Sequence, residues 1–274
     1  MKYLRLLAYG CSHTAGAETQ DEDYVPGADK IKKEVGYMKF MLDYDPIFSK
    51  NKEAYINSGK KKSYIRHLAD HLQLPYDNRA VSGSGLPEQI YQIESDLVSE
   101  NIKDTDLIII GITGKERILK FEDDKAGTIL LAYTSTYPKN LQNSQKEFIE
   151  YYEDRITTFQ SLMHYQYFLN LANTRLKNQI YFVFCNTWAM MLDYNFKGVQ
   201  ELPDSFKFVM RRLHNDFKNS KYTLSDCDLY HYSIVNNSYD DNSNFHGGNH
   251  VKENVHKLFA DHLYKKLLES TIIF

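Results

Sequence analysis

Short apolar runs alternate with helical patterns along most of the chain, and this alternation restricts the folds that are open to it. The runs are rich in Leu, Ile, Val and aromatic residues and end at turn residues, as buried parallel strands do. We predict strands at residues 4–9, 76–81, 106–111, 179–186 and 228–235. Because strands that alternate with helices form a parallel sheet covered on both faces, we expect an α/β fold with five parallel strands.

Helical periodicity fills the intervals between these runs. Ser63 is a favourable N-cap for a helix over residues 64–72, and Pro87 suits the first turn of another that continues to residue 98. A long aromatic-rich pattern covers residues 148–176. The last helix is predicted from apolar residues at helical spacing, namely Val251, Val255, Leu258, Phe259, Leu263 and Leu267.

Two stretches do not fit a minimal sheet of this kind. Residues 17–60 are charged and Tyr-rich with weak periodicity, and residues 118–160 include a loop rich in Gly, Thr, Ser and Pro. We interpret both as insertions at the edge of the sheet. Since there is no internal repeat or low-complexity linker, residues 1–274 are expected to form a single domain.

Composition argues against several classes of function. A formal net charge of −3 provides no positive excess for nucleic acid or an anionic membrane surface. The three cysteines lack CxxC spacing, which argues against a disulfide scaffold and favours a reducing compartment. No apolar run approaches a membrane span of roughly 18–20 residues, and Arg5 interrupts the short apolar segment near the N-terminus. We therefore expect a cytoplasmic protein, or a virion-associated one if the chain is phage-encoded. As separate expectations, we predict a small-molecule partner and no metal or other cofactor.

Four glycine- and serine-containing stretches directly follow predicted strands or open the last helix. They cover residues 10–16 (GCSHTAG), 78–85 (NRAVSGSG), 111–117 (GITGKER) and 244–250 (NFHGGNH). In an open α/β sheet, ligands bind at the carboxyl ends of the strands. We therefore expect all four stretches to meet at one rim of the sheet.

Ser12 is the candidate nucleophile in the first of these stretches. At the first turn of a helix, its hydroxyl would lie near unpaired backbone N–H groups, and Gly10 and Gly16 would allow a sharp turn and close approach of a substrate. A serine nucleophile on a strand-to-helix turn needs this pattern. A serine that only caps the helix would have the same position, so this stretch alone leaves both roles open.

Taken together, the four stretches resemble the SGNH/GDSL hydrolase superfamily, especially the divergent forms found in tailed-phage genomes. The first family block is GDS with a glycine four residues after the serine. Gly10, Cys11, Ser12 and Gly16 match it, with cysteine in place of the acid. The segment over residues 63–72 is similar to an early helical element of the family.

The second and third blocks of the family match less fully. Asn78 and the following turn correspond to the second block, with Gly83 as its glycine. Gly111 corresponds to the glycine of the third block, and Thr113 stands where the family has asparagine.

The last block of the family is an aspartate three residues before a histidine, often followed by a second histidine and an alanine. His250, His256 and Ala260 match this spacing, but Gly247 occupies the aspartate position.

This resemblance implies a flavodoxin-like three-layer α/β/α fold and a serine esterase or acyl hydrolase, including O-deacetylases of carbohydrates. Ser12 would attack the ester carbonyl, and His250 would act as general base and acid. The backbone N–H groups of Ser12 and Gly83 and the Thr113 hydroxyl would bind the oxyanion. Arg117 and His13 would contact the substrate, although Arg117 can equally be a solvated arginine and His13 a packing residue.

Because Gly247 replaces the expected acid, another group must orient His250. Asp240 and Asp241 are the nearest preceding carboxylates, Asp193 is a further candidate, and a backbone carbonyl could serve instead.

Three alternatives stay open. The chain could be a catalytically degenerate binding or virion-associated protein with the same fold. His246 and His250 with Asp240 or Asp241 could form a metal-dependent hydrolase, although such spacing is weak evidence for a metal site. Cys11 could itself be the nucleophile, but it stands at the family's acid position and is more simply explained as a small buried residue.

Overall fold

A computed structural model describes residues 3–17, 19–35, 37–113, 117–122, 125–130, 157–176, 179–185, 203–229, 232–233 and 251–270. The strands within these ranges are β1 (Arg5–Tyr9), β2 (Tyr76–Asn78), β3 (Asp106–Ile112), β4 (Arg117–Glu122), β5 (Lys125–Leu130), β6 (Ile180–Phe184) and β7 (Thr223–Asp228). The helices are α1 (Ser12–Ala15), α2 (Asp21–Tyr24), α3 (Ala28–Val35), α4 (Tyr37–Lys50), α5 (Lys52–Lys62), α6 (Tyr64–Leu72), α7 (Leu86–Val98), α8 (Thr157–Thr174), α9 (Asp204–Lys218) and α10 (Glu253–Glu269).

Five of the strands form one sheet in the order β2-β1-β3-β6-β7, and every pairing in it is parallel. Without the separate β4–β5 hairpin, this is the 2-1-3-4-5 order of flavodoxin-like folds. The predicted α/β fold with a five-stranded parallel sheet is therefore confirmed.

The sheet is covered by helices on both faces. All seven residues of β3 are buried, and successive side chains enter opposite cores. Leu107 and Ile109 belong to a cluster with residues of α6 and α10, whereas Ile108 and Ile110 belong to a cluster with residues of α7, α8 and α9. A strand buried on both faces reads as a continuous apolar run, which is why β3 could be predicted closely.

The prediction of the fifth strand was wrong in position. The strand is Thr223–Asp228 and not the apolar run over residues 228–235; Leu229 and residues 232–233 have helical conformation. Among the described strands, β7 lies at the edge of the sheet and pairs with β6, and the register is irregular between Phe182 and Phe184. Its sequence TLSDCD is mostly polar although Thr223, Leu224, Cys227 and Asp228 are buried, so no apolar run marks the strand.

The predicted insertion over residues 17–60 contains helices α2 to α5, which weak periodicity had not indicated. They enclose a small cluster of their own formed by Val25, Ala28, Phe40 and Phe48. Beside it, Lys32 Nζ lies 2.6 Å from Asp21 Oδ2, and both side chains are fully buried. Removing one member of such a pair would leave an uncompensated buried charge.

The predicted insertion over residues 118–160 begins with the antiparallel β4–β5 hairpin, where a loop had been expected. The long helix predicted over residues 148–176 is α8, which is described from Thr157 to Thr174. In the last helix, Leu258 is 43% exposed and does not contribute to the buried face. Val251 precedes the first turn but is buried in the same cluster as Val255 and Phe259. None of the helices in the described ranges is both long and apolar enough to cross a membrane.

Candidate active site

Ser12 lies where β1 ends and α1 begins, and its side chain is buried. Cys11, with extended backbone, occupies the N-cap position, and Ser12 is the first residue of the helix. Helix capping therefore does not explain the serine, and the simpler of the two roles considered for it is wrong.

Gly16 ends this short helix with a positive φ of 71°, a conformation that favours glycine. A Cβ at this position would also come within 2.4 Å of the Gly59 carbonyl oxygen on α5. The first insertion therefore packs directly against the turn that carries Ser12.

The Thr14 side chain occupies the space beside Gly10 and Gly111, the glycines at the ends of β1 and β3. It is fully buried, and its Oγ1 lies 3.2 Å from both the Tyr64 hydroxyl and Cys185 Sγ. A Cβ would come within 2.2 Å of Thr14 Oγ1 from Gly10 and within 2.0 Å from Gly111. Gly10 was interpreted as allowing a sharp turn and substrate approach, but its role in the structure is to make room for Thr14.

The second stretch is bound to the end of β1. The Gly10 carbonyl oxygen accepts hydrogen bonds from the Val81 N–H at 3.0 Å and from Ser84 Oγ at 2.8 Å. Gly83 lies between these two donors, has a φ of 90°, and has open space where a Cβ would be. The loop that carries this predicted oxyanion donor thus lies against the residues that precede Ser12.

Thr113 follows β3 at the same edge of the sheet. Tyr9 at the end of β1 pairs with Ile110, and the Cys185 N–H donates to the Ile112 carbonyl at 2.9 Å. Thr113 itself is buried. Three of the four predicted stretches therefore meet at the carboxyl edge of the parallel strands.

Arg79, within the second stretch, is held by two carboxylates. These contacts were not predicted from the sequence. Its guanidinium pairs with Asp96 on α7 and donates from Nε to Asp77 Oδ2 at 2.8 Å. The Tyr9 hydroxyl donates to Asp96 Oδ2 at 2.6 Å. Burial works to lower the pKa of Arg79, but its bonds to Asp77 and Asp96 outweigh burial and raise that pKa.

Cys11 is fully buried, which confirms its prediction as a small packed residue. Its thiol forms a hydrogen bond with Cys185, and this bond, followed by burial, raises the pKa of Cys185 well above its usual value. Because the Cys11 side chain is fully buried, its sulfur is not accessible to a substrate, which does not favour Cys11 as the nucleophile.

His256, which matches the second histidine of the family's last block, contacts Tyr64 of α6. Its Nδ1 accepts a hydrogen bond from the Tyr64 N–H at 3.2 Å, and its ring stacks on Tyr64 with centroids 6.0 Å apart. The first turn of α10 therefore touches the same tyrosine whose hydroxyl reaches Thr14.

Four predicted site residues, His250, Asp240, Asp241 and Asp193, lie outside the described residues, as does the whole stretch 246–250. Close to His250 in sequence, Val251 is buried and Lys252 Nζ lies 3.1 Å from Asp29 Oδ2 of the first insertion.

Arg117 begins β4, and His13 is half-buried on α1. The substrate contacts expected of these two residues stay predictions. Among the residues that the structure describes, no group of three or more His, Cys, Asp or Glu side chains could hold a metal ion.

No protein-family model matches the chain. A comparison with curated proteins also finds no match. Solved structures similar to it include a member of the lipolytic protein G-D-S-L family from Veillonella parvula DSM 2008, with 12% identity and a TM-score of 0.44 over 99% of this chain and 100% of that chain. A protein assigned to the lipolytic G-D-S-L family from Desulfitobacterium hafniense DCB-2 has 12% identity and a TM-score of 0.42 over 96% of this chain and 98% of that chain.

A catalytic mutant of Axe2, an acetylxylan esterase from Geobacillus stearothermophilus, has 12% identity and a TM-score of 0.42 over 100% of this chain and 97% of that chain.

Proposed function

We propose that the protein is a divergent SGNH-type serine hydrolase that cleaves an ester bond in a small molecule or glycan. The observation that carries this proposal is the meeting of the Ser12 turn, the Gly83 loop and Thr113 at one edge of the sheet. The Gly10 carbonyl bonds the first two of these together. The position of Ser12 inside the helix, after Cys11 as N-cap, supports a role for its hydroxyl other than capping.

In the proposed reaction, Ser12 Oγ attacks the ester carbonyl carbon while His250 takes the hydroxyl proton. The tetrahedral intermediate collapses, the alkoxide leaves with the proton from His250, and the acyl group stays on Ser12. Water, deprotonated by His250, then attacks the acyl-enzyme, which releases the acid and restores the serine. The Ser12 and Gly83 N–H groups and the Thr113 hydroxyl would stabilise the oxyanion, each by roughly 2.7–4 kcal/mol of barrier.

Asp240 and Asp241 are the proposed acids that orient the His250 ring, because they are the nearest carboxylates that precede it in the chain. Arg117 and His13 are proposed to contact the substrate. An acetylated carbohydrate is the substrate class that we propose to test first.

Gly247, in place of the aspartate of the family, favours a second candidate function. In this alternative the chain is a binding or virion-associated protein that has the fold without the chemistry. A fluorophosphonate probe separates the two, because it labels a serine only when the hydroxyl is activated. Labelling at Ser12 supports the hydrolase, and its complete absence supports the binding protein.

The decisive test of the hydrolase is Ser12→Ala, assayed with short-chain aryl acetates and acetylated sugars. We expect kcat to fall at least about 1,000-fold, as for other catalytic serines. Ser99→Ala is the matched control, since Ser99 is an exposed serine just after the C-terminal end of α7. Turnover by Ser12→Ala at the rate of this control would exclude Ser12 as the nucleophile.

A further inference from the structure

Asn78 is the last residue of β2 and lies beside Ala8 of β1. It is buried, and both ends of its carboxamide are bonded. Nδ2 donates to the Thr14 carbonyl oxygen at 2.8 Å and to Ser63 Oγ at 3.1 Å. Oδ1 accepts from the Ala80 N–H at 3.1 Å.

The two backbone partners of this amide belong to the two halves of the candidate site. Thr14 lies in the same helical turn as Ser12. Ala80 lies in the loop that follows β2 and continues to Gly83. One rigid, planar group thus joins the helix that carries the proposed nucleophile to the loop that carries a proposed oxyanion donor.

Few side chains could make this connection. The Thr14 carbonyl needs a donor and the Ala80 N–H needs an acceptor, and a carboxamide offers both at a fixed separation. An ionised aspartate has the same shape but no donor, so it would direct an oxygen at the Thr14 carbonyl. Alanine would leave both buried backbone groups without this partner.

We infer that Asn78 is a positioning residue, which fixes the separation between Ser12 Oγ and the Gly83 N–H. This inference rests on the proposed function, because that separation matters only if Ser12 attacks a carbonyl whose oxygen is received by Gly83. A displacement of about 1 Å between reacting groups can cost about 100-fold in rate.

The test compares Asn78→Asp and Asn78→Ala with the wild type, using a short-chain aryl acetate. We expect kcat to fall about 10- to 100-fold in both variants, while KM changes little because substrate contacts are retained. In Asn78→Asp, a protonated carboxyl group can donate to the Thr14 carbonyl again. The ratio of its kcat to that of the wild type at the same pH should therefore rise as the pH falls, whereas the ratio for Asn78→Ala should stay constant.

Thr223→Val is the control for a purely structural loss. Thr223 lies on β7, at the opposite edge of the sheet from β2, and is also buried. Its Oγ1 donates to the carbonyl oxygen of Phe217 on α9 at 2.7 Å. This variant should lower the melting temperature without changing kcat. Hydrogen exchange should accelerate at the amides of residues 80–84 in Asn78→Ala and stay unchanged there in Thr223→Val.

Two results would overturn the inference while leaving the proposed function intact: a kcat of Asn78→Asp equal to that of Thr223→Val, or a kcat ratio that does not rise at low pH. If instead Ser12→Ala retains wild-type turnover, the proposed function fails and the inference fails with it. The Ser12 variant therefore distinguishes the two failures.

Discussion

The Tyr64 N–H donates to His256 Nδ1 across 3.2 Å, so the first N–H group of α6 is satisfied by a side chain from α10. Ser63 is at the N-cap position predicted for it, but its side chain makes no capping bond. Its hydroxyl donates to the Lys60 carbonyl and accepts from Asn78 Nδ2. The histidine therefore performs, through a tertiary contact, part of the role that a cap performs locally.

Replacement of His256 by leucine should destabilise the protein. The substitution removes the acceptor for the Tyr64 N–H and leaves that buried donor unsatisfied, so we expect the free energy of unfolding to fall by about 1–3 kcal/mol. Denaturant unfolding measures this change. His71→Leu, at an exposed histidine on α6, is the control and should change stability much less. Equal losses in the two variants would contradict the role assigned to His256.

Substitution of Gly111 by alanine tests the explanation for the glycine at the end of β3. The new methyl group would come within 2.0 Å of Thr14 Oγ1 and 2.7 Å of Cys185 Sγ, so the core must shift, at a cost of about 1–3 kcal/mol. Adding Thr14→Ala removes the closest atom. The double variant should therefore lose less stability than the sum of the single losses, by more than the roughly 0.3–0.5 kcal/mol error of additivity. Strict additivity in a thermal or denaturant cycle would contradict direct contact.

The regular part of the fold could be predicted because its signals are local. The run DLIIIGI of β3 is buried along its whole length, and one strand pattern describes it. The polar edge strand β7 and helices α2 to α5 could not be predicted in this way. Edge pairing tolerates polar residues, and a buried ion pair such as Lys32 with Asp21 contradicts a simple apolar periodicity.

At the candidate site, the sequence indicates which stretches meet but not how they are joined. The turn at Ser12 follows from a strand end, a serine and flanking glycines. The reason for Gly10 is Thr14, four residues away, and the role of Asn78 depends on Thr14 and Ala80 together. Contacts of this kind exist only once the strands are aligned, so residue types and spacing do not reveal them.

The cysteines should be unreactive in the folded protein. Cys11, Cys185 and Cys227 are all buried and free, and the bond to Cys11 together with burial raises the pKa of Cys185. Because maleimides react with accessible thiolates, we expect no rapid labelling at neutral pH and labelling of all three cysteines after unfolding. One rapidly labelled cysteine at position 11 in the native protein would revive the alternative in which Cys11 is the nucleophile.

Stability should fall as the pH drops below about 6.5, the ordinary pKa of histidine. Burial lowers the pKa of His164 on α8 below that value. Between the two pKa values the unfolded chain binds the proton and the folded protein does not, so acid favours unfolding in this window. His164→Gln removes this contribution and should reduce the difference between the melting temperatures at pH 5 and pH 7.5. If the difference is unchanged, protonation of His164 does not contribute to it.

Gly83 and Gly27 form a matched pair for testing the oxyanion donor. Both have positive φ, 90° and 79°, and a Cβ at either position would meet no atom within 4 Å. Alanine at either position should therefore cost about 1–3 kcal/mol of unfolding free energy through backbone strain alone.

Gly83→Ala should also lower kcat by about 10-fold or more, because relief of that strain moves the N–H that is proposed to receive the oxyanion. Gly27 lies in the first insertion between α2 and α3, and Gly27→Ala should leave kcat unchanged. If the two variants show equal stability and equal kcat, the Gly83 N–H is not an oxyanion donor, and the second proposed donor must be sought elsewhere at this edge of the sheet.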